Sequence, residues 1–103
     1  MSTQSLKISD EFSRYPAGRY YSDGPYSGEK FREEFLSPRL REGANLEINL
    51  DGTRGFGSSF LEEAFGGLVR KGFKAVDLLH RLTFISKDES LVTEIKEYIN
   101  GAS

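Results

Sequence analysis

The sequence predicts an α/β fold, and three patterns carry that prediction. Residues 45–50 alternate strictly between apolar and polar side chains, as a strand with one buried face does. Residues 60–69 place apolar side chains at positions i, i+1, i+4, i+5, i+8 and i+9, which is a wide stripe with helical period. Other strand-like and helix-like segments alternate along the 103 residues, a length that suits one domain with one core.

The first half of the chain is predicted to contain one or two strands and a helix. Residues 5–9 form the first strand, and residues 19–21 are a candidate for a short second one. The surrounding segment 13–28 is rich in proline, glycine and tyrosine, which is typical of turns. Ser27 is the predicted N-cap of the helix, and the pair at residues 37–38 is expected to bend or end it, because the residue before a proline avoids the helical region.

The second half is predicted to contain two strands and two or three helices. The strands are residues 45–50 and 82–86, and the clear helices are residues 59–71 and 88–100. Residues 73–81 fit either a helix or a strand, and we favour the helix. A parallel strand covered on both faces is apolar throughout, so the alternation in residues 45–50 predicts helices mainly on one face of the sheet.

Composition and charge exclude several classes of function. The formal net charge is −2 with both signs mixed along the chain, so we expect no nucleic-acid partner. The chain has no cysteine and its only histidine is His80, so we expect no disulfide, no metal site and no cofactor. No apolar run approaches the ~20 residues of a membrane helix, and the first residues lack the apolar core of a signal peptide. We therefore expect a cytoplasmic protein that does not bind membranes.

Two adjacent serines, Ser58 and Ser59, precede the apolar stripe and have different candidate roles. Ser59 and Glu62 match the S-x-x-E capping box, in which each side chain bonds the backbone N–H of the other residue. This leaves Ser58 in the loop before the helix, where a phosphate would meet the positive end of the helix dipole. Serine hydrolysis is disfavoured, since the surrounding residues do not match G-x-S-x-G and only one histidine is present.

Two further groups of residues are candidates for a binding surface. The tyrosine-rich segment 15–26 includes Arg19 and follows Arg14, so it combines aromatic rings with cations. Three interpretations stay open: a loop folded over the sheet edge, a protein contact, or a site for nucleic acid or a small ligand. Adjacent helix residues point about 100° apart, so Glu62 and Glu63 do not converge on one atom as catalytic carboxylates would. We expect them to form a solvated or partner-facing acidic patch.

The order of these segments, from about residue 6 to residue 100, resembles the STAS-like domain family of unknown function. Members of that family look like distant relatives of bacterial anti-sigma factor antagonists. Three motifs carry the resemblance: S-G-E-x-F-R-E at residues 27–33, D-G at residues 51–52, and S-S-F-L-E-E-A-F-G at residues 58–66. The last motif is the most specific of the three.

The resemblance implies a single STAS-like domain over residues 1–103, with an ordered core at about 5–100. It implies a mixed sheet of four to five strands with helices packed mainly on one face, and a non-enzymatic binding role. In the antagonists, an Asp-Ser-Ser-Gly stretch at the start of the equivalent helix carries a serine that a partner kinase phosphorylates, and that position falls on Ser58. The unphosphorylated antagonist binds this kinase, which is also the anti-sigma factor. Here Gly57 replaces the aspartate and Phe60 the glycine.

We therefore expect a bacterial regulatory module that binds a protein partner, including partner switching with an ATP-binding, anti-sigma-like kinase, as a monomer or weak homodimer. Two alternatives stay open: an accessory or structural subunit without phosphate control, and a small-ligand or nucleotide-binding domain that uses loops at the strand ends. Ser58 is the preferred phosphosite, and Ser59 is less favoured. The expected partner face consists of Gly55, Phe56, Gly57, Ser58, Ser59, Glu62 and Glu63, together with Arg19, Tyr20 and Tyr21.

Overall fold

The computed structural model of the chain describes residues 2–102, which form a three-stranded sheet and five helices. The strands are β1 (Thr3–Lys7), β2 (Asn45–Asn49) and β3 (Leu82–Ile85). The helices are α1 (Ile8–Glu11), α2 (28–41), α3 (58–70), α4 (Ala75–Arg81) and α5 (Glu89–Gly101). A 3-10 turn, Tyr21–Asp23, lies within the tyrosine-rich segment.

Helices α2 and α3 each contain a π-helical segment that the sequence does not predict. In α2 this segment is Phe31–Leu36, and in α3 it is Glu62–Gly66. Ser37 donates its backbone N–H to the carbonyl oxygen of Arg32, five residues back, so the helix is widened directly before Pro38. Helix α2 therefore continues past the proline to residue 41.

The sheet is parallel throughout, with the strands in the order β1-β2-β3. Leu6 pairs with Ile48, and Ile48 pairs with Phe84. Because β-α-β crossovers are right-handed in nearly all proteins, two successive crossovers in the same direction place α2 and α3 on the same face of the sheet. The strand order thus accounts for a one-sided helix layer.

Burial confirms that the helices cover mainly one face of the sheet. On β2, Leu46 and Ile48 are fully buried, while Asn45, Glu47 and Asn49 stay partly exposed. Strands β1 and β3 continue the same alternation. The open face is polar apart from Ile85, and its polar residues on β2 explain the alternating pattern in the sequence.

The prediction of a mixed sheet with four to five strands is wrong for residues 2–102, since the sheet has three parallel strands. The candidate strand at residues 19–21 is a turn. There the Asp23 carboxylate accepts hydrogen bonds from the backbone N–H groups of Arg19 (3.1 Å) and Tyr20 (2.8 Å). The Asp23 side chain therefore occupies backbone N–H groups that would otherwise bond a neighbouring strand.

The remaining element predictions agree with the structure within a few residues. The favoured helix at residues 73–81 is confirmed over Ala75–Arg81. Strand β1 begins and ends two residues earlier than predicted, and the short helix α1 follows it directly.

Helix α3 is the centre of the helix layer, because it contacts both α2 and α5. Its predicted apolar stripe is buried except for Val69, which is partly exposed, and each buried phenylalanine or leucine contributes roughly 1.5–3 kcal/mol through burial. The stripe joins one hydrophobic cluster with residues from all three strands. Its members with no exposed surface are Phe60, Leu61, Ala64, Phe65 and Leu68.

Three glycines allow α3 to lie this close to its neighbours. A Cβ on Gly28 would lie 2.5 Å from a carbonyl oxygen of α3. A Cβ on Gly67 would overlap Nη1 of Arg32. One on Gly66 would lie 3.3 Å from the carbonyl oxygen of Tyr98 in α5, and 2.6 Å from Oε2 of Glu62 in α3 itself. Glycines inside a helix are unfavourable by roughly 1 kcal/mol each against alanine, so packing is what requires them here.

Candidate functional site

The loop between β2 and α3, residues 50–57, carries part of the predicted partner face. Gly52 and Gly55 have φ angles of 94° and 135°, which favour glycine. Gly57 is the N-cap of α3, with an extended backbone at φ −71° and ψ 146°. Its carbonyl oxygen accepts the N–H of Leu61 at 3.1 Å, but glycine has no side chain that could cap the helix. The first turn of α3 therefore has no side-chain cap.

The capping box predicted for Ser59 and Glu62 is wrong. Helix α3 begins at Ser58, one residue earlier than predicted, and the Glu62 carboxylate bonds Arg19 and Arg70 instead of a backbone amide. Both serines are exposed, and within residues 2–102 neither hydroxyl has a hydrogen-bond partner. Ser58 is thus a residue of the first helical turn with an unengaged hydroxyl.

Ser58 lies where a negative charge would be stabilised. The first N–H groups of a helix have no intrahelical acceptor and carry the positive end of its dipole, so phosphates bind such positions readily. Glu62 donates its backbone N–H to the carbonyl oxygen of Ser58, so the two side chains lie on one helix face with Cβ atoms about 5–6 Å apart. A phosphate on Ser58 would therefore adjoin Glu62 and its arginine partners.

The tyrosine-rich segment is fixed against the start of α3 by Arg19. Nη1 of Arg19 donates to Oε1 of Glu62 at 2.6 Å and to Oε1 of Glu63 at 3.1 Å. The backbone oxygen of Arg19 accepts the N–H of Glu29 at 2.9 Å, which joins the segment to the first turn of α2. The structure thus brings Arg19, Glu62 and Glu63 of the predicted face together.

These residues belong to a network of five charged side chains, Arg19, Arg32, Glu62, Glu63 and Arg70, which we call the arginine–glutamate network. Arg70 donates to both carboxylate oxygens of Glu62, at 2.6 and 3.0 Å. Nη1 of Arg32 donates to Oε2 and to the backbone oxygen of Glu63, at 2.6 and 2.7 Å. Arg32 is only 2% exposed, so its charge is balanced almost entirely by protein groups.

Pairing within the network shifts the pKa values of its members. Hydrogen bonds from Arg70, and then from Arg19, hold the pKa of Glu62 below its ordinary value of 4.5. The same bonds raise the pKa of Arg19 and of Arg70. Burial works to lower the pKa of Arg32, but hydrogen bonds to Glu33, which lies outside the network, and to Glu63 outweigh burial and raise it. These four groups are therefore charged at neutral pH.

The prediction that Glu62 and Glu63 do not converge on one atom is wrong, since both carboxylates accept a hydrogen bond from Nη1 of Arg19. They also do not form the solvated acidic patch that was one of the two predicted arrangements. Glu63 is 7% exposed, and arginines bond both carboxylates. The side chains of Arg19 and Arg70 are more exposed, at 31% and 43%. A partner on this face would meet these two guanidinium groups before it could reach Glu63.

Tyr20 and Tyr21 are presented to solvent beside Arg19, with 49% and 47% of their surface exposed. The backbone N–H of Tyr21 donates to Glu29 and its hydroxyl donates to Glu34, both at 2.9 Å. Burial, followed by the bond to Glu34, raises the pKa of Tyr21 to about 12. The segment is therefore held in place by hydrogen bonds while its rings face outward.

A cavity of about 450 Å³ lies at the carboxyl ends of β2 and β3, where the ligand-binding alternative places its site. Its wall includes Phe56, whose ring also packs on Phe60 with 5.9 Å between centroids. Some of its polar groups serve the fold, since Oδ1 of Asp51 accepts the N–H of Lys87 at 3.0 Å. The charged lining residues are Asp51, Lys87, Asp88 and Glu94.

The only histidine, His80, is engaged within its own helix, where Nδ1 lies 2.8 Å from the carbonyl oxygen of Val76. Among residues 2–102, no group of three or more histidine or acidic side chains is arranged to hold a metal ion. Over the same residues, no helix has the length and apolar character needed to cross a membrane.

Sequence reasoning missed the roles of Arg32 and Arg70. Both are charged residues in predicted helices, and the residues next to them in the sequence do not indicate that Arg32 is buried or that Arg70 is paired. The available signal was indirect: Gly66 and Gly67 interrupt a strongly apolar helix, and glycines there indicate that another group approaches the backbone. In the structure that group is the guanidinium of Arg32 at Gly67.

Comparison with known proteins identifies the family. A family model described as the STAS-like domain of unknown function (DUF4325) matches residues 27–91, from the start of α2 to the start of α5. No curated protein and no solved structure matches the chain significantly. The family match includes Ser58 and every member of the arginine–glutamate network except Arg19. Because the match covers more than half of the 103 residues, the chain belongs to the STAS-like domain family of unknown function.

Proposed function

We propose that this STAS-like domain is a non-enzymatic regulatory module that binds a protein partner under the control of phosphorylation at Ser58. The observation that carries the proposal is the state of Ser58, an exposed residue in the first turn of an uncapped helix whose hydroxyl bonds nothing within residues 2–102. A kinase can reach such a hydroxyl, and a phosphate there breaks no hydrogen bond of the fold.

The phosphate would act on the surface rather than on the fold. It adds roughly −1.5 to −2 charges one turn before Glu62 and competes with that carboxylate for Arg19. The partner face would change from one that offers partly free guanidinium groups to one that carries a phosphate. A partner that uses acidic groups would then be repelled.

The resemblance to anti-sigma factor antagonists supports an ATP-binding, kinase-like protein as the partner. A non-enzymatic role is supported by the side chains around Ser58. A serine nucleophile needs a base within hydrogen-bond reach, and His80 instead bonds its own helix. The proposed cycle has an unphosphorylated domain bound to the kinase-like partner and a phosphorylated domain released from it.

Affinity capture tests this proposal. The tagged domain is recovered from lysate of its own host with ATP and magnesium present, and partners and phosphosites are identified by mass spectrometry. We expect one ATP-binding, kinase-like protein and phosphate on Ser58. Ser58→Asp should lose the partner, whereas Ser59→Asp is the matched control, since Ser59 is also exposed and is adjacent.

Two results contradict parts of the proposal. The same partner captured with no phosphate, and equally well by Ser58→Asp, indicates an accessory subunit without phosphate control. No partner with either protein, combined with a rise in melting temperature on addition of a small molecule, indicates the ligand-binding alternative. The cavity lined by Asp51, Lys87 and Asp88 is the observation that favours this second candidate.

A further inference from the structure

The loop before α3 meets the start of the tyrosine-rich segment at Arg14 and Arg54. The backbone N–H of Arg54 donates to the carbonyl oxygen of Arg14 at 2.8 Å, so residues 40 positions apart become direct neighbours. Both arginines are exposed. Tyr15, which follows Arg14, is 59% exposed, more than Tyr20, Tyr21 or Tyr26.

Five of the eight arginines have a partner for the guanidinium group, whereas Arg14, Arg41 and Arg54 have none within residues 2–102. Arg19, Arg32 and Arg70 belong to the network. The two others that are engaged are Arg39, which lies 3.6 Å from Glu11, and Arg81, which donates to the carbonyl oxygens of Leu40 and Ala44. Within residues 2–102, Arg14 and Arg54 form no ion pair, although acidic residues outnumber basic ones in the sequence by 16 to 14.

Hydrogen bonds hold the backbone under this surface in place before a partner binds. The N–H of Tyr15 donates to Oγ of Ser13 at 2.9 Å, and the N–H of Ser13 donates to the carbonyl oxygen of Ile8 at the same distance. Ser13 itself is buried. Binding therefore needs little ordering of the backbone, which favours affinity.

We infer that Arg14, Tyr15 and Arg54 form a docking surface for an acidic segment of a protein partner. Two exposed arginines on backbone-bonded residues can each bind a carboxylate, and tyrosine and arginine are enriched at protein interfaces. The chain as a whole carries a formal net charge of −2, so a polyanion such as nucleic acid would be repelled beyond this small patch. The inference rests on the proposed function, because it gives the chemistry of that partner.

The inference also gives the Ser58 phosphate a second means of action. Arg54 lies four residues before Ser58, in the loop that leads into α3, so a phosphate would place an anion close along the chain to the docking surface. An acidic segment would then be repelled by the phosphate and would lose part of the attraction of the arginines.

A purified-protein binding assay tests the surface without the native partner. The probe is a fluorescein-labelled peptide that alternates glutamate with tyrosine, and its anisotropy is followed as protein is added at low ionic strength. A peptide with glutamine in place of glutamate is the probe control. We expect Arg14→Gln/Arg54→Gln to lose at least about tenfold in affinity for the acidic peptide.

The matched control is Arg41→Gln/Lys71→Gln, which removes the same charge from two other exposed residues and should bind like the unchanged protein. Equal weakening by both double variants overturns the inference, as does absence of binding to the acidic peptide. If single-stranded DNA of equal charge binds more tightly than the acidic peptide, and Arg14→Gln/Arg54→Gln weakens that binding, the surface is a nucleic-acid site instead. Because the assay uses no host partner, its failure leaves the capture result, and with it the proposed function, unaffected.

Discussion

Arg32 is a charged side chain placed where two helices meet, and its position explains several neighbouring residues. Its guanidinium lies over Gly67 and bonds Glu63, and both partners are almost fully buried. A buried ion pair is rarely more stabilising than a well-packed apolar pair, but it makes each partner dependent on the other. The network therefore links α2 to α3 through a buried pair in which neither charge is satisfied without the other.

We predict that Arg32→Ala destabilises the domain by about 3–5 kcal/mol, because it leaves the buried carboxylate of Glu63 without its closest cation. The measurement is urea unfolding followed by circular dichroism. Arg41→Ala is the control, since Arg41 is exposed and forms no ion pair within residues 2–102, and it should change stability by less than about 0.5 kcal/mol. The double variant Arg32→Met/Glu63→Leu should recover most of the loss. If it remains as unstable as Arg32→Ala, the loss comes from packing and not from an unpaired charge.

Glu62 gives the domain a component of stability that acid removes. Its pKa in the folded protein is lower than the ordinary 4.5, so folding favours the charged form. This contribution is fully present above pH 4.5 and is lost as the pH falls through the lower folded-state pKa. We predict that the stability difference between the unchanged protein and Glu62→Gln is largest at neutral pH and shrinks in acid.

Urea unfolding at several pH values measures this difference. Glu97→Gln is the control, since Glu97 is an exposed glutamate of α5 without an ion pair in the described part of the chain. A constant difference between Glu62→Gln and the unchanged protein across the acid range would mean that Glu62 contributes through packing alone.

The packing of α2 on α3 depends on contacts between backbones. A Cβ on Gly28 would lie 2.5 Å from the carbonyl oxygen of Phe60 and 3.1 Å from the amide nitrogen of Ala64. Backbone atoms cannot move aside as the end of a flexible side chain can. The helix must therefore shift as a whole to admit even one methyl group.

We predict that Gly28→Ala destabilises the domain by roughly 1–3 kcal/mol, the usual range for overpacking a tight contact. Gly101→Ala in α5 is the control, because a Cβ there has no atom within 4 Å. That change should be neutral or stabilising by up to about 1 kcal/mol, since alanine restricts the unfolded chain. Thermal and urea unfolding of both variants supply the comparison, and equal stability of the two would contradict the close contact.

Considered as a whole molecule, the fold could be predicted from the sequence wherever a local pattern decided it. The alternation in β2 and the apolar stripe of α3 correctly indicated a one-sided α/β architecture. The predicted number of strands was too high because residues 19–21 contain tyrosines, which are common in strands. In the structure the backbone N–H groups of Arg19 and Tyr20 bond the Asp23 carboxylate instead of a neighbouring strand. Only part of the site could be predicted from the sequence. The exposure of Ser58 follows from its position directly before the apolar stripe of α3. The pairing of Glu62 and Glu63 depends on arginines between seven and 44 positions away in the chain.

The parallel order of the strands also has a consequence for how quickly the molecule forms. Thr3 pairs with Asn45, 42 positions later, and Leu46 pairs with Leu82, 36 positions later. Every rung of the sheet must close a long loop, so folding is dominated by distant contacts and is expected to be slow for a chain of this size. During synthesis, α3 leaves the ribosome before β3 does. Until β3 is synthesised, the apolar stripe of α3 can pack against only two strands. During this interval the exposed apolar surface makes the nascent chain prone to aggregation.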